Sequence, residues 1–286
     1  MKFLLVSTLL ALSIPATAQT DTVRSVLPAS PPKKTISTIL AGAVFAPRLH
    51  YYGRTDSLKS SALLPVVLIQ FDSVGIYASG TSVFLNNRIQ QFEYAGTIAE
   101  LGYKFGKPMR FSGNIYANKF FYNTTQLPQS ALKAQVGTNL AYHTRPVNVT
   151  ITGSAAFADR TDFFASGGLN HNFTWRKGKS VLVITPTAVA NAGSQNFTNT
   201  YYKQNIPGLP LPPQEVTESS KRFTFLSYDF SLPLVYAYKG LFLIVTPTYV
   251  VPDNVIKVAN HPELSETASN LFFVNLTALY SFKIRK

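Results

Sequence analysis

The chain closes on "LFFVNLTALYSFKIRK", Leu271 to Lys286. Taken in steps of two, Phe272, Val274, Leu276, Ala278, Tyr280, Phe282 and Ile284 form one apolar row. Asn275, Thr277, Ser281 and Lys283 fall on the other, with Leu271, Phe273 and Leu279 among them. Successive side chains of a strand point to opposite faces, so this spacing predicts a strand with an apolar face about seven residues long. Strands of globular proteins usually stop at about five or six residues. Terminal segments of soluble domains tend to fray, so an apolar row at the very end needs a medium that covers it.

The start of the chain bears on that medium. Lys2 supplies a positive start, "FLLVSTLLALSI" is a mainly apolar stretch of twelve, and Ala16-Thr17-Ala18 fits a small-x-small cleavage site. The apolar stretch is shorter than the roughly 20 residues of a membrane-spanning helix. The expectation is an export signal over 1–18, a flexible Pro-rich leader over 19–34 ("QTDTVRSVLPASPPKK") and one β domain over 35–286. The absence of cysteine excludes disulfides and a thiol-linked lipid, which suits a bacterial exported protein. The formal charge is +13, yet only 14% of residues are charged, against about a quarter in ordinary soluble domains. For an exported chain this basic balance points to anionic headgroups or solutes, and away from nucleic acid.

From Thr35 onward the pattern has period two, broken by turns. Five turns are tight: "FDSVG" near Asp72, "FGKPM" near Gly106, "HTRPV" near Arg145, "RKGKS" near Gly178 and "YKGLF" near Gly240. Six connections are longer and more polar: 53–60, 85–89, 122–130, 158–162, 193–221 and 252–268. Short and long alternate, and eleven connections join twelve strands with both termini at the short-turn end.

Parity separates two faces. Arg110, Ser112, Asn114, Tyr116 and Asn118 lie opposite Phe111, Ile115, Ala117 and Phe121. Lys133, Gln135 and Asn139 lie opposite Leu132, Val136, Leu140 and Tyr142. Asn148, Thr150, Thr152 and Ser154 oppose Val147, Val149, Ile151, Ala155 and Phe157. Ser227, Asp229 and Ser231 oppose a row from Leu226 to Tyr238. Rings gather at both strand ends. Tyr103, Phe105, Tyr142, Trp175, Tyr236, Tyr238, Tyr280 and Phe282 adjoin the short turns. Tyr51, Tyr52, Phe120, Phe121, Tyr122, Phe163, Phe164 and Phe223 adjoin the long loops. Amphipathic rings collect at membrane interfaces, so two belts at opposite ends fit a chain that crosses a bilayer with strands.

An even strand number, loops sorted by length and two aromatic belts resemble the bacterial outer-membrane β-barrel proteins over nearly the whole mature length. The resemblance implies an all-β fold, a transmembrane antiparallel up-and-down β-barrel of about 12 strands with short periplasmic turns and longer extracellular loops. It implies residence in the cell outer membrane, contact with outer-membrane lipids, and insertion by the barrel-assembly machinery, which reads the closing strand. Members usually end on an aromatic residue, whereas here four residues follow Phe282.

Pro47, Pro186, Pro233 and Pro247 fall inside predicted strands and call for bulges or strand ends there. "LVITPTAV" at 182–189 and "LIVTPTYV" at 243–250 repeat one pattern, a kink at a common depth. Glu93 and Glu100 have opposite parity, and a bulge between them would bring both inside.

Catalytic patterns are missing. His50, His143, His171 and His261 stand apart, and no nucleophile elbow, His-Glu-x-x-His motif, phosphate loop or metal-ligand cluster occurs. The reading is a protein with no enzymatic activity, metal or cofactor, with His50 as the position kept in view. Lumen and selectivity candidates are Arg110, Lys133, Asp229, Glu93, Lys283 and Arg48. The aromatic girdle is Tyr103, Tyr142, Trp175, Tyr236, Tyr238, Tyr280 and Phe282. A barrel of eight strands is filled by side chains and one of sixteen holds a broad channel, so twelve strands suit a narrow one. The expectation is a passive or weakly selective channel for small solutes, anions included, with the loop at 193–221 long enough to constrict it. The alternative is a non-conducting barrel with a structural, ligand-binding or envelope-assembly role. A barrel enzyme acting on lipids comes third.

Overall fold

The computed structural model describes residues 35–52, 54–55, 60–88, 91–106, 110–123, 132–194, 196, 223–253 and 269–285. Twelve antiparallel strands follow one another around a single sheet, and the last pairs with the first, closing a barrel. They are β1 Thr35–Ala46, β2 Ser61–Phe71, β3 Ile76–Asn86, β4 Glu93–Gly106, β5 Phe111–Tyr122, β6 Ala134–Tyr142 and β7 Asn148–Phe157. Three strands come in two pieces. These are β8 (Thr161–Asn170, Phe173–Lys177), β9 (Ser180–Ile184, Thr187–Gly193) and β10 (Thr224–Ser231, Leu234–Tyr238). The circle ends with β11 Leu241–Pro252 and β12 Leu271–Arg285. Leu40 stands opposite Ser281 and Val44 opposite Thr277 at the closing seam. Closure pairs the strands around the circle, with the piece Phe173–Lys177 paired on one side, to Ser180–Ile184. The export signal and leader lie outside the described residues, as does all of the 193–221 loop except Gly193, Ser194 and Asn196.

The prolines explain the broken strands. His171 donates its N–H to the Pro186 carbonyl (3.3 Å), Thr185 to Pro233 (3.0 Å) and Leu232 to Pro247 (3.0 Å). The three prolines therefore stand side by side in a seam across β8 to β11. Each lacks a ladder donor, but its carbonyl serves the neighbouring strand. Pro47 falls just past the end of β1, and Pro186 and Pro233 fall between strand pieces. Pro247 departs from the expectation. It lies inside β11, whose pairing runs on through Pro247 opposite Val274.

Two bulges set the parity. Between Val83 and Phe84 the partner strand skips from Gly96 to Tyr94, so Ala95 and Gly96 both lie on the buried side of β4. Glu93 thereby returns to the face that Glu100 occupies. A second shift at Asn191/Ala192 lies opposite Ser227 and Phe225, and puts Leu226 on the inner face with Ser227. Simple alternation assigns Leu226 to the outer face, and the bulge overturns that. One connection also breaks the length rule. Phe157 and Thr161 pair directly, leaving three residues at the long-loop end between β7 and β8.

The inner face buries Leu64, Tyr77, Leu85, Leu226, Phe242 and Leu279. The outer face leaves Leu101 60% exposed, Ile151 56% and Leu169 54%. In β12 the exposed row is Phe272, Leu276, Tyr280, Phe282 and Ile284, while Phe273 and Leu279 point in. A closed belt of large apolar side chains is a poor match for water and a good one for hydrocarbon.

Candidate functional site

At the long-loop end the described residues of the loop from β1 to β2 turn inward. The Leu49 N–H donates to the Ser60 carbonyl (2.8 Å), pinching the loop at its base. Leu49, His50 and Ser60 are buried. Residues His50–Tyr51 pair with Arg54–Thr55 in a small hairpin. At its tip Tyr52 adopts φ of 52°, a left-handed conformation uncommon for a bulky residue. Its ring stacks on Phe164 of β8, with centroids 5.6 Å apart and planes 26° apart. The His50 ring lies 4.6 Å from Phe273 of β12, tilted by 50°. Because β8 and β12 are four strands apart, the loop reaches across the opening. Burial holds the His50 imidazole down to about 3, so it stays neutral.

The same contacts correct the aromatic belt expected beside the long loops. Phe121, Phe163 and Phe223 are outward and exposed. Phe164 and Phe120 are buried inside, and Phe120 stacks on Tyr122 with centroids 5.9 Å apart. Sequence position placed these rings at the right height but not on the right side. At the opposite end all seven girdle residues, Tyr103, Tyr142, Trp175, Tyr236, Tyr238, Tyr280 and Phe282, are exposed on the outer face.

Below the mouth, asparagines link the strands across the inner wall. Asn114 donates to the Tyr77 hydroxyl (2.8 Å), Asn139 to the Asn114 amide oxygen (3.0 Å), and Thr152 to that of Asn139 (2.9 Å). Asn191 receives from Ser166 (2.7 Å) and donates to Ser227 and Asp229, both at 3.0 Å. The Asn148 nitrogen donates to Asn170 (2.9 Å), so its oxygen faces His143 Nδ1 at 3.2 Å. Nδ1 must therefore carry the hydrogen, and Nε2 accepts from Ser112 (3.2 Å). His143 is a strut between β5 and β7. Toward the short turns Lys104 donates to Gln70 and lies 4.6 Å above the Tyr77 ring. Gln70 and Thr38 donate to the two oxygens of Asp72, at 2.5 and 2.8 Å.

One acid is less well served. Glu100 faces Asn118 across β4 and β5, and both are buried. Tyr77 and Asn118 flank the carboxylate, and burial strips it of water.

The lumen candidates do not gather into one ring. Asp229 is deep inside, held by Ser227 (2.8 Å) and Asn191. Lys133 stands at the long-loop rim, 3.1 Å from Asp159, with both side chains mostly exposed. Glu93 is exposed at the long-loop end of β4, and Arg48 is half-buried after β1. Arg110 and Lys283 are exposed at the short-turn end. The basic residues expected to select anions thus sit at the rims, while Glu100 and Asp229 lie within. Alternation had flagged the inward Asn114, Asn118, Asn139 and Asn148. It carried no signal for Asn170 or Asn191, which lie in Gly- and Ala-rich segments. Among the described residues no group of His, Cys, Asp and Glu could hold a metal ion. His171 is half-buried, its ring 4.6 Å from Phe173.

No protein-family model and no curated protein matches the chain. Solved structures give loose likenesses. A bacterial polysaccharide outer membrane secretin is 8% identical with a TM-score of 0.36, over 88% of this chain and 99% of its own. LpxR from Salmonella typhimurium is 8% identical with a TM-score of 0.38, over 86% and 100%. An anion-selective porin from Comamonas acidovorans is 9% identical with a TM-score of 0.23, over 86% and 98%. At these values the function has to be argued from the chain's own residues.

Proposed function

We propose that the chain is an outer-membrane β-barrel forming a narrow channel for small polar solutes, closed at rest by its first outer loop. Membrane residence is supported by the closed apolar outer belt and the ring of exposed aromatics beside the short turns. The observation that carries the closed state is the loop's double anchorage, His50 on Phe273 and Tyr52 on Phe164. The amide and hydroxyl wall supports polar cargo, because its groups can trade hydrogen bonds with a passing solute. Fixed inner charges do not favour anions, since the candidate arginines and lysines stand at the rims.

The test is conductance of refolded mature protein in a planar bilayer, beside a variant whose loop 48–59 is replaced by a short Gly-Ser linker. Wild type should be silent or open only briefly, and the variant should give steady steps. A steadily open wild type overturns the gate. A silent variant, shown folded by heat-dependent gel mobility, overturns the channel and leaves the non-conducting barrel.

A further inference from the structure

The charges of the two rims differ. At the long-loop end the described basic residues Arg48, Arg54, Arg88, Lys119, Lys133 and Arg160 are accompanied by four acids, Glu93, Asp159, Asp162 and Asp253. At the short-turn end the described cations outnumber the described acids by more. Arg110 precedes β5, Arg145 lies between β6 and β7, and Arg176, Lys177 and Lys179 surround the β8–β9 turn. Lys239 occupies the β10–β11 turn and Lys283 the end of β12. All seven are exposed. The acid described at this rim is Asp72, whose carboxylate already accepts from Thr38 and Gln70. Four of the five short turns and the closing strand therefore carry cations around the circumference, of which Arg110, Arg176 and Lys283 alternate with the outward Phe111, Trp175 and Phe282 and must reach over the rim.

Height matters as much as sign. These cations lie immediately beyond the exposed girdle of Tyr142, Trp175, Tyr238, Tyr280 and Phe282. Lys239 shows the relation directly, its ammonium 5.0 Å from the Tyr238 ring centre. Rings of this kind mark the boundary between hydrocarbon and headgroups. Charges within a few residues of them lie at the depth of phosphates, where long Lys and Arg side chains reach outward from an apolar stem.

We propose that the short-turn rim is a binding collar for the anionic phospholipid headgroups of the inner leaflet. This rests on the membrane reading above. Arg offers a bidentate fork to a phosphate and Lys a point charge, so a collar of both holds a shell of anionic lipids without a pocket for any one of them. Headgroups are favoured over an acidic periplasmic protein because the charges form a ring at one height and not a patch on one side.

The chain's single tryptophan, Trp175, sits in the girdle next to Arg176 and is the natural reporter. Refolded protein would be placed in phosphatidylcholine vesicles holding a fixed fraction of brominated lipid, either phosphatidylglycerol or phosphatidylcholine. Brominated phosphatidylglycerol should quench Trp175 at least about threefold more effectively at low salt, and the advantage should shrink in 0.5 M salt. The triple variant Lys177→Gln, Lys179→Gln, Lys239→Gln should lose most of it while retaining heat-dependent gel mobility. Equal quenching by both lipids in wild type overturns the collar but leaves the barrel in its membrane. Absence of quenching by either overturns the membrane reading itself. A preference that survives both salt and the triple variant also overturns the collar.

Discussion

The imidazole of His50 lies 4.6 Å from the ring of Phe273, so a residue from the first outer loop rests on an inward side chain of the closing strand. Both are buried. This contact ties the loop to the closing strand where β12 pairs with β11. Burial holds the His50 imidazole down to about 3, while in a released loop it would titrate near 6.5. A lowered value means the closed state binds the proton less well than the open one. Its contribution is complete above 6.5 and is lost as pH falls from 6.5 toward 3. At pH 5, 1.5 units below 6.5 at 1.36 kcal/mol each, closure is weakened by about 2 kcal/mol. Open probability in a bilayer should rise between pH 7 and pH 5, and His50→Phe should abolish that rise. A flat pH profile in wild type would count against the buried His50.

The second anchor is tested by its own pair. Tyr52 and Phe164 stack at 5.6 Å, and aromatic pairs contribute about 0.5–1.5 kcal/mol beyond their buried area. Phe164→Ala should favour the open mouth and raise trypsin cleavage at Arg54. Tyr52→Ala added to Phe164→Ala should then cost less than it does alone. Fully additive effects would show that the two rings do not depend on each other.

Glu100 makes a prediction of opposite sign. Burying a carboxylate costs its desolvation, and its neutral isostere removes the charge with little change of shape. Lys104 is the nearby cation, but its ammonium is engaged by Gln70 and the Tyr77 ring. Glu100→Gln should therefore stabilise the folded barrel by about 1–3 kcal/mol in reversible urea unfolding from lipid. A loss of stability would mean that the Glu100–Lys104 attraction and the flanking Tyr77 and Asn118 outweigh the cost of desolvation.

Much of the fold could be read from the sequence because a barrel wall repeats one rule. Period two in "LFFVNLTALYSFKIRK", five tight turns and a ring beside each gave the twelve strands and their outward faces. What escaped was whatever breaks that rule. Leu226 and Phe225 exchange faces at a bulge opposite Asn191, where no glycine or proline announces the extra residue. Phe164 and Phe120 are inward although their neighbours Phe163 and Phe121 are outward, because the belt follows height along the chain whereas the side of each ring follows its parity with Asn118 or Asp162. The cap escaped for another reason. A polar loop carries no mark of whether it stands away from a barrel or folds into it, and His50 gained its meaning only from Phe273, more than two hundred residues later.

Gly102 tests whether the inner wall is as tightly fitted as the hydrogen bonds imply. A Cβ added there would lie 2.3 Å from the Tyr77 ring and 2.4 Å from its hydroxyl, well inside contact distance. Tyr77 is fully buried, receives the Asn114 amide and lies beneath the Lys104 ammonium, so it has little room to yield. Gly102→Ala must push the ring aside, breaking the link from β3 to β5 and the stacking under Lys104. Overpacking of this kind costs about 1–3 kcal/mol, and the lost hydrogen bond adds about 1 more. The loss should appear as a lower temperature for the gel-mobility shift. Removing the obstacle should reverse it, so Tyr77→Phe combined with Gly102→Ala remains destabilised whereas Tyr77→Ala combined with Gly102→Ala recovers much of the overpacking cost. If Gly102→Ala alone were neutral, Tyr77 would have a second resting place, and the wall at this level would be looser than its contacts indicate.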